Sequence, residues 1–166
     1  EMQASALRLH AGARQKERIA MKIEMVCEKG CKPVRKHPAD AGADLKANAL
    51  NGRGRVWVIP PTGECMIPTG VRVSIPEGYV GLLVARSSLH KKGLILSNGI
   101  GVIDSGYTGE IKVPLKNLSA GNANVECGER IAQLIVLPCV LPEFVKVSDL
   151  AETERGEGGF GSTGAM

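Results

Sequence analysis

The chain has 166 residues, 43% of them hydrophobic, and a formal net charge of +4. That length fits one domain with one core. A charge this mild, half of it from Arg8, Arg14, Lys16 and Arg18 set against Glu1 and Glu17, excludes a broad nucleic-acid-binding surface.

Aromatic residues make up only 3% of the chain, so Val, Ile and Leu must build the core, which favours β structure. No run approaches the roughly 20 apolar residues of a membrane span. The five cysteines, Cys27, Cys31, Cys65, Cys127 and Cys139, are odd in number and irregular in spacing, which argues against a disulfide framework. Cys27-Glu-Lys-Gly-Cys31 lacks the second Cys/His pair that a zinc site needs. These are read as structural or incidental thiols in a reducing, soluble compartment: the cytoplasm, with an organelle or the nucleus left open for a eukaryotic source.

In chain order, residues 1–20 are Ala/Arg-rich and read as a leader or upstream extension, with Met21 the more natural start. A mitochondrial presequence is disfavoured by Glu1 and Glu17. Residues 21–150 are expected to form one β domain, and 151–166 a flexible tail. Strand-like Lys22–Val26 comes first. Asp44, in Ala41-Gly-Ala-Asp-Leu45, is a carboxylate placed before a strand, read alone as a turn residue. Val71, Val73 and Ile75 alternate with Arg72 and Ser74, the period of a half-buried strand.

Pro76-Glu-Gly78 turns this strand into Tyr79–Ala85. Ser87–Lys92 can make one short helix at most. Ala85-Arg-Ser-Ser-Leu89 sets a guanidinium beside two hydroxyls at that helix start, either an anion site or a plain serine cap. Asn98 to Gly109 has glycines at both ends of a short apolar run. It reads as a hairpin whose backbone approaches a ligand, or as an ordinary Asp-Ser-Gly turn. In it, Asp104 ends a buried strand and can meet water, and Tyr107 lies in a turn.

Ile111, Val113 and Leu115 alternate again. Ile131–Leu137 is nearly continuous, as for a strand buried on both faces. Many short strands between regular turn signals mean a compact barrel or sandwich.

The last stretch, Arg155-Gly-Glu-Gly-Gly-Phe-Gly-Ser-Thr-Gly164, has no Lys before its Ser/Thr and no following helix, so it is not a P-loop. Glycine lets backbone N–H groups converge on phosphate, while Phe160 can stack on a base and Arg155 can clamp an anion. The tail reads as a mobile lid over a nucleotide, against the bland reading of a floppy terminus.

Read in order, these segments resemble the five motifs of the trimeric dUTPases. The first is Ala41-Gly-Ala-Asp-Leu45, and the second is Arg86-Ser-Ser-Leu89 with Lys92-Gly93 behind it. The third runs from Asn98 through Gly101-Val-Ile-Asp104 and Tyr107 to Gly109-Glu110. The fourth is Gly128-Glu-Arg-Ile-Ala-Gln-Leu-Ile135, and the fifth is the tail. The resemblance covers about residues 22–164.

It implies an all-β, distorted jelly-roll-like barrel, a homotrimer with active sites at subunit interfaces and a flexible Gly-rich C-terminal arm. The implied reaction is Mg2+-assisted attack of water on the α-phosphate of dUTP, giving dUMP and pyrophosphate. That activity keeps uracil out of DNA and supplies dUMP for thymidylate synthesis. Asp104 matches the general base, and Asp44 the carboxylate that holds magnesium through a water. Tyr107 matches the residue that packs on deoxyribose, and Asn98 with the hairpin backbone at Gly101 the uracil reader. Arg86, Ser87, Ser88 and Gln133 match phosphate contacts. Arg155, Phe160, Gly161, Ser162 and Thr163 match the lid.

Gly106 stands where many relatives carry Asp or another side chain, and is expected to change the turn and not the chemistry. His90 and Lys91 replace small or apolar residues. Two rivals are weighed. The homologous dCTP deaminases need a Glu at the position occupied here by Pro114, which cannot shuttle protons. A regulatory dUTP-binding protein acting through a partner would keep the same residues. Neither nucleic acid nor membrane is expected as a partner.

Overall fold

The computed structural model describes residues 21–49, 55–156 and 158–159, so the expected leader at 1–20 lies outside the described residues. Turn signals cut the chain into short strands: β1 (Glu24–Cys27), β2 (Ala43–Lys46), β3 (Val56–Ile59), β4 (Glu64–Pro68), β5 (Val71–Ser74) and β6 (Tyr79–Ala85). A 3-10 turn (Ser87–Lys92) follows. Then come β7 (Leu94–Leu96), β8 (Gly101–Ile103), β9 (Lys112–Asn117), β10 (Ala123–Glu126) and β11 (Arg130–Pro138). The fold is all-β, and the only helical element described is that single turn.

All named strand pairs are antiparallel. The largest sheet has the order β2-β11-β6-β8, joined by β4-β9-β7 and by the pairs β1-β5 and β10-β3. Their inner faces bury Leu45, Ile59, Ile67, Leu83, Leu94, Ile111, Leu115 and Ile131 almost completely. The core is aliphatic, as the scarcity of aromatics requires; Trp57 and Tyr79 only pack against its margin. The buried Asn117 amide donates to Ile59 O and Gly121 O, and its oxygen accepts from Ser119. Among the described residues no buried side-chain polar atom lacks a partner, so the core carries no uncompensated desolvation.

Alternation in β5 holds, with Val71 and Val73 inside and Arg72 and Ser74 outside. β11 departs from expectation. Its first half, Ile131–Leu134, is flanked by β2 and β6, but past Leu134 only β6 remains paired and exposure rises, with Leu137 at 43%. Successive residues Ile131 and Ala132 are both fully buried, so both faces are covered only near the start of the strand. β1 also begins two residues later than the expected Lys22.

Candidate active site

Asp44 lies inside β2 and not ahead of a strand, and it is 4% exposed, so the reading of it as a turn residue is corrected. Its carboxylate is held from three sides. Arg86 Nε donates to Oδ1 at 2.8 Å, Gln133 Nε2 to Oδ1 at 3.1 Å, and Arg130 Nη1 to Oδ2 at 2.9 Å. A buried carboxylate needs such partners, since charge-assisted hydrogen bonds offset its desolvation. Two guanidiniums on one carboxylate leave a net positive charge whose remaining N–H groups can meet an anion.

Sequence reasoning missed Arg130. In a regular strand, residues 130 and 133 point to opposite faces. Here Arg130 pairs with Lys46 and Gln133 with Asp44, so three steps on β11 match two on β2. A register shift lies between Arg130 and Ala132. This β-bulge turns both side chains to one face, a device common beside functional sites. Gly42 makes room for the arrangement, because a Cβ there would stand 3.1 Å from Gln133 Cβ.

Arg86 leaves β6 in extended conformation and precedes the 3-10 turn, which closes at Gly93 in the left-handed region (φ 66°). Arg86 has no acceptor with which to cap that turn, and its Nη1 donates to Ser88 Oγ and Arg130 O. Neither serine therefore serves as the cap. Both are exposed, and only Ser88 Oγ is engaged by the guanidinium.

The hairpin expected over residues 98–109 does not form: β7 pairs with β9 and β8 with β6, so β7 and β8 lie in different sheets joined by a turn. Asn98 is exposed on that turn, Asp104 and Tyr107 on the turn after β8, and Gly101 is buried against Leu83 of β6. Asp104 meets solvent as expected. The turn closes by Tyr107 N donating to Asp104 O at 3.2 Å, with Gly106 at φ 85°, where a side chain would be strained. Gly106 thus serves this turn geometry.

These two groups are not brought together within one chain. β8 pairs Ile103 with Gly81, so Asp104 follows opposite Val80, six residues along β6 from Arg86. At a strand rise of about 3.3 Å per residue, that is on the order of 20 Å.

Among the described residues no group of three or more His, Cys, Asp or Glu side chains could hold a metal ion. A carboxylate has about four lone-pair sites, and the three donors on Asp44 leave one. That fits a metal-bound water and not direct coordination between two guanidiniums. Arg155 is exposed, with Nε donating to Gly158 O at 3.0 Å, while Phe160, Gly161, Ser162 and Thr163 lie outside the described residues. All five cysteines are free. Burial pushes the Cys31 thiol up, with Glu28 and the thiols of Cys127 and Cys27 adding to the shift, and burial alone does so for Cys65.

The family model described as dUTPase matches residues 28–164. A deoxyuridine 5'-triphosphate nucleotidohydrolase of Cutibacterium acnes is 48% identical over 130 residues, covering 76% of this chain and 81% of its own. That of Arabidopsis thaliana is 42% identical over 143 residues, covering 86% and 82%. The solved dUTPase of Staphylococcus bacteriophage 80alpha with dUPNHPP superposes with a TM-score of 0.76 at 33% identity, covering 87% of this chain and 99% of that one. A mutant dUTPase from phage phi11 of S. aureus, described with a structural Mg(II) ion, gives 0.69 at 27%, covering 80% and 100%.

Proposed function

The chain belongs to the dUTPase family, a distorted jelly-roll-like barrel with dUTP diphosphatase activity, and from that premise we propose how its residues divide the work. The observation that carries the reading is the clamp on Asp44. It fixes Arg86, Arg130 and Gln133 before any ligand arrives, and preorganised donors stabilise phosphate charge at little reorganisation cost. Ser87 and Ser88 extend that cradle. Asp104 orients the attacking water and takes its proton, in line with the pyrophosphate leaving group. Asn98 and the backbone of the β7–β8 turn as far as Gly101 read uracil, and Tyr107 fills the space a ribose 2′-hydroxyl would need. Magnesium, bound with the phosphates, would neutralise developing charge, with Asp44 holding one of its waters. The product dUMP serves thymidylate synthesis, and removing dUTP keeps uracil out of DNA.

A separation of about 20 Å between Asp104 and Arg86 along one sheet is far beyond the reach of a triphosphate. This supports a site completed by another copy of the chain, a homotrimer in our reading. The arm beyond β11 adds support. Its residues from Val140 to Leu150 are all exposed, Phe144 at 93%, and a free chain rarely leaves so much apolar surface uncovered. The tail, with Arg155 and Phe160, closes over the bound nucleotide as a lid. The free thiols suit a reducing compartment such as the cytoplasm.

The test is pyrophosphate release with magnesium, comparing dUTP, dTTP, UTP and dCTP, alongside light scattering for mass. Release from dUTP alone by a trimer is expected. Full activity from a monomer would overturn the shared site, and ammonia from dCTP would overturn the reaction.

A further inference from the structure

The Tyr107 ring does not stand free on the turn after β8. Its hydroxyl donates to Glu110 O at 3.1 Å, so the ring folds back over the Thr108-Gly109 backbone. A Cβ at Gly109 would lie 2.5 Å from Tyr107 Oη, 2.6 Å from Cζ and 2.9 Å from Cε2. No real Cβ makes contacts this short. The contact at Gly109 is therefore possible only because the residue lacks a side chain. Gly109 is not among the positive-φ glycines, so its backbone suits alanine, and the three atoms nearest that Cβ all belong to the Tyr107 side chain.

The floor beneath the ring is itself fixed. Glu110 Oε1 accepts from Gly70 N at 2.7 Å, and Thr69 Oγ1 donates to Ile111 O at 2.6 Å from a fully buried position. Ile111 N donates in turn to Val71 O at 2.8 Å. The end of the β8–β9 connection is thus bolted to the turn between β4 and β5, while the ring above it remains 45% exposed.

We propose that Gly109 is a specificity-determining positioning residue: its bare backbone sets the depth of the Tyr107 ring and thereby the room left for the sugar. This rests on the reading of Tyr107 as the surface that meets deoxyribose. A methyl at 109 pushes the ring outward into the sugar's space. The barrel survives, because the group displaced is the far end of a side chain. The deoxyribose of dUTP then meets a misplaced wall, and discrimination against ribose, which depends on the same wall, weakens.

The experiment compares kcat/KM for dUTP and UTP in the wild type, Gly109→Ala, Tyr107→Ala and the double variant, with melting temperatures for all four. A ring displaced by about 1 Å can cost up to 100-fold, so Gly109→Ala is expected to lower kcat/KM for dUTP by about 10- to 100-fold, mostly through KM, and to shrink the dUTP/UTP ratio. In the Tyr107→Ala background the same change should cost nothing, because the ring it acts through is gone. An equal loss in both backgrounds would show a backbone effect and overturn the proposal, as would Gly109→Ala with wild-type selectivity. Should Tyr107→Ala itself leave the dUTP/UTP ratio unchanged, the sugar reading of Tyr107 fails. The coupling between 107 and 109 is then still decided by whether the double variant recovers the melting temperature lost in Gly109→Ala.

Discussion

The Asp44 cluster and the turns on either side of β8, the two halves of the proposed site, are built in opposite ways. Asp44 is buried, and two cations and an amide converge on it from β11 and the end of β6. Asn98, Asp104 and Tyr107 are exposed, carried on turns tied down by backbone hydrogen bonds. In the proposed reading the cradle binds a polyanion without rearranging, and its charge partners are complete within the chain. In the same reading the turns around β8 face another copy, and their side chains are exposed. The proposal thus sets rigidity where charge must be preorganised and exposure where a second copy would complete the site.

The sharpest way to break this contrast is Asp104→Asn. The residue is exposed, so stability should stay at the wild-type value, while turnover falls by about 100- to 10,000-fold as the base is lost. Binding of a non-hydrolysable dUTP analogue should persist. Substantial residual turnover would remove Asp104 from the role of base.

Asp44→Ala should behave in the reverse manner, with stability lost as well as activity. It leaves two guanidiniums facing each other beside a buried strand. Breaking a buried ion pair costs about 3–5 kcal/mol, and the low end of that range applies here because Arg130 is 42% exposed and can be rehydrated. A denaturant titration would read this directly. An unchanged midpoint would mean that the clamp is not holding β2, β6 and β11 in register.

The contrast also explains what was legible beforehand. β5 could be read because its own residues alternate, whereas the hairpin expected around Asp104 failed, because sequence neighbours do not reveal that β7 pairs with β9 and β8 with β6. The clamp could not, since Arg86, Arg130 and Gln133 lie 42, 86 and 89 residues from Asp44. Resemblance supplied three of those four residues. Arg130 escaped because strict alternation puts it on the wrong face, and only the bulge corrects that. The full burial expected for β11 failed as well, since apolar composition does not say where the cover over a strand's faces stops.

Deleting residues 155–166 extends the comparison to the arm. Residues 151–156 are all exposed, so the melting temperature should hold, while kcat/KM for dUTP falls by about 10- to 100-fold as closure over the substrate is lost. A large drop in melting temperature would instead make the tail part of the folded body.

The smallest effect expected is at the thiols near the clamped region. Cys31 is buried, and its Sγ donates to Asn48 Oδ1 at 3.5 Å, two residues past β2. Burial raises its pKa, and that of Cys65, above the ordinary value. The neutral thiol is therefore the form the fold prefers. Below the ordinary thiol range, folded and unfolded chains are both protonated and this contribution is fully present. As pH climbs past about 8.5 the unfolded chain ionises first and binds fewer protons, so stability declines until the folded thiols ionise too. A modest fall in melting temperature between about pH 8 and 10 should accordingly be reduced by Cys31→Ala. Alkylation should follow the same logic, reaching exposed Cys127 well before Cys31. If Cys31 reacted as fast as Cys127, the segment joining β1 to β2 would be opening readily. The rigid side of the comparison would then begin only at Asp44.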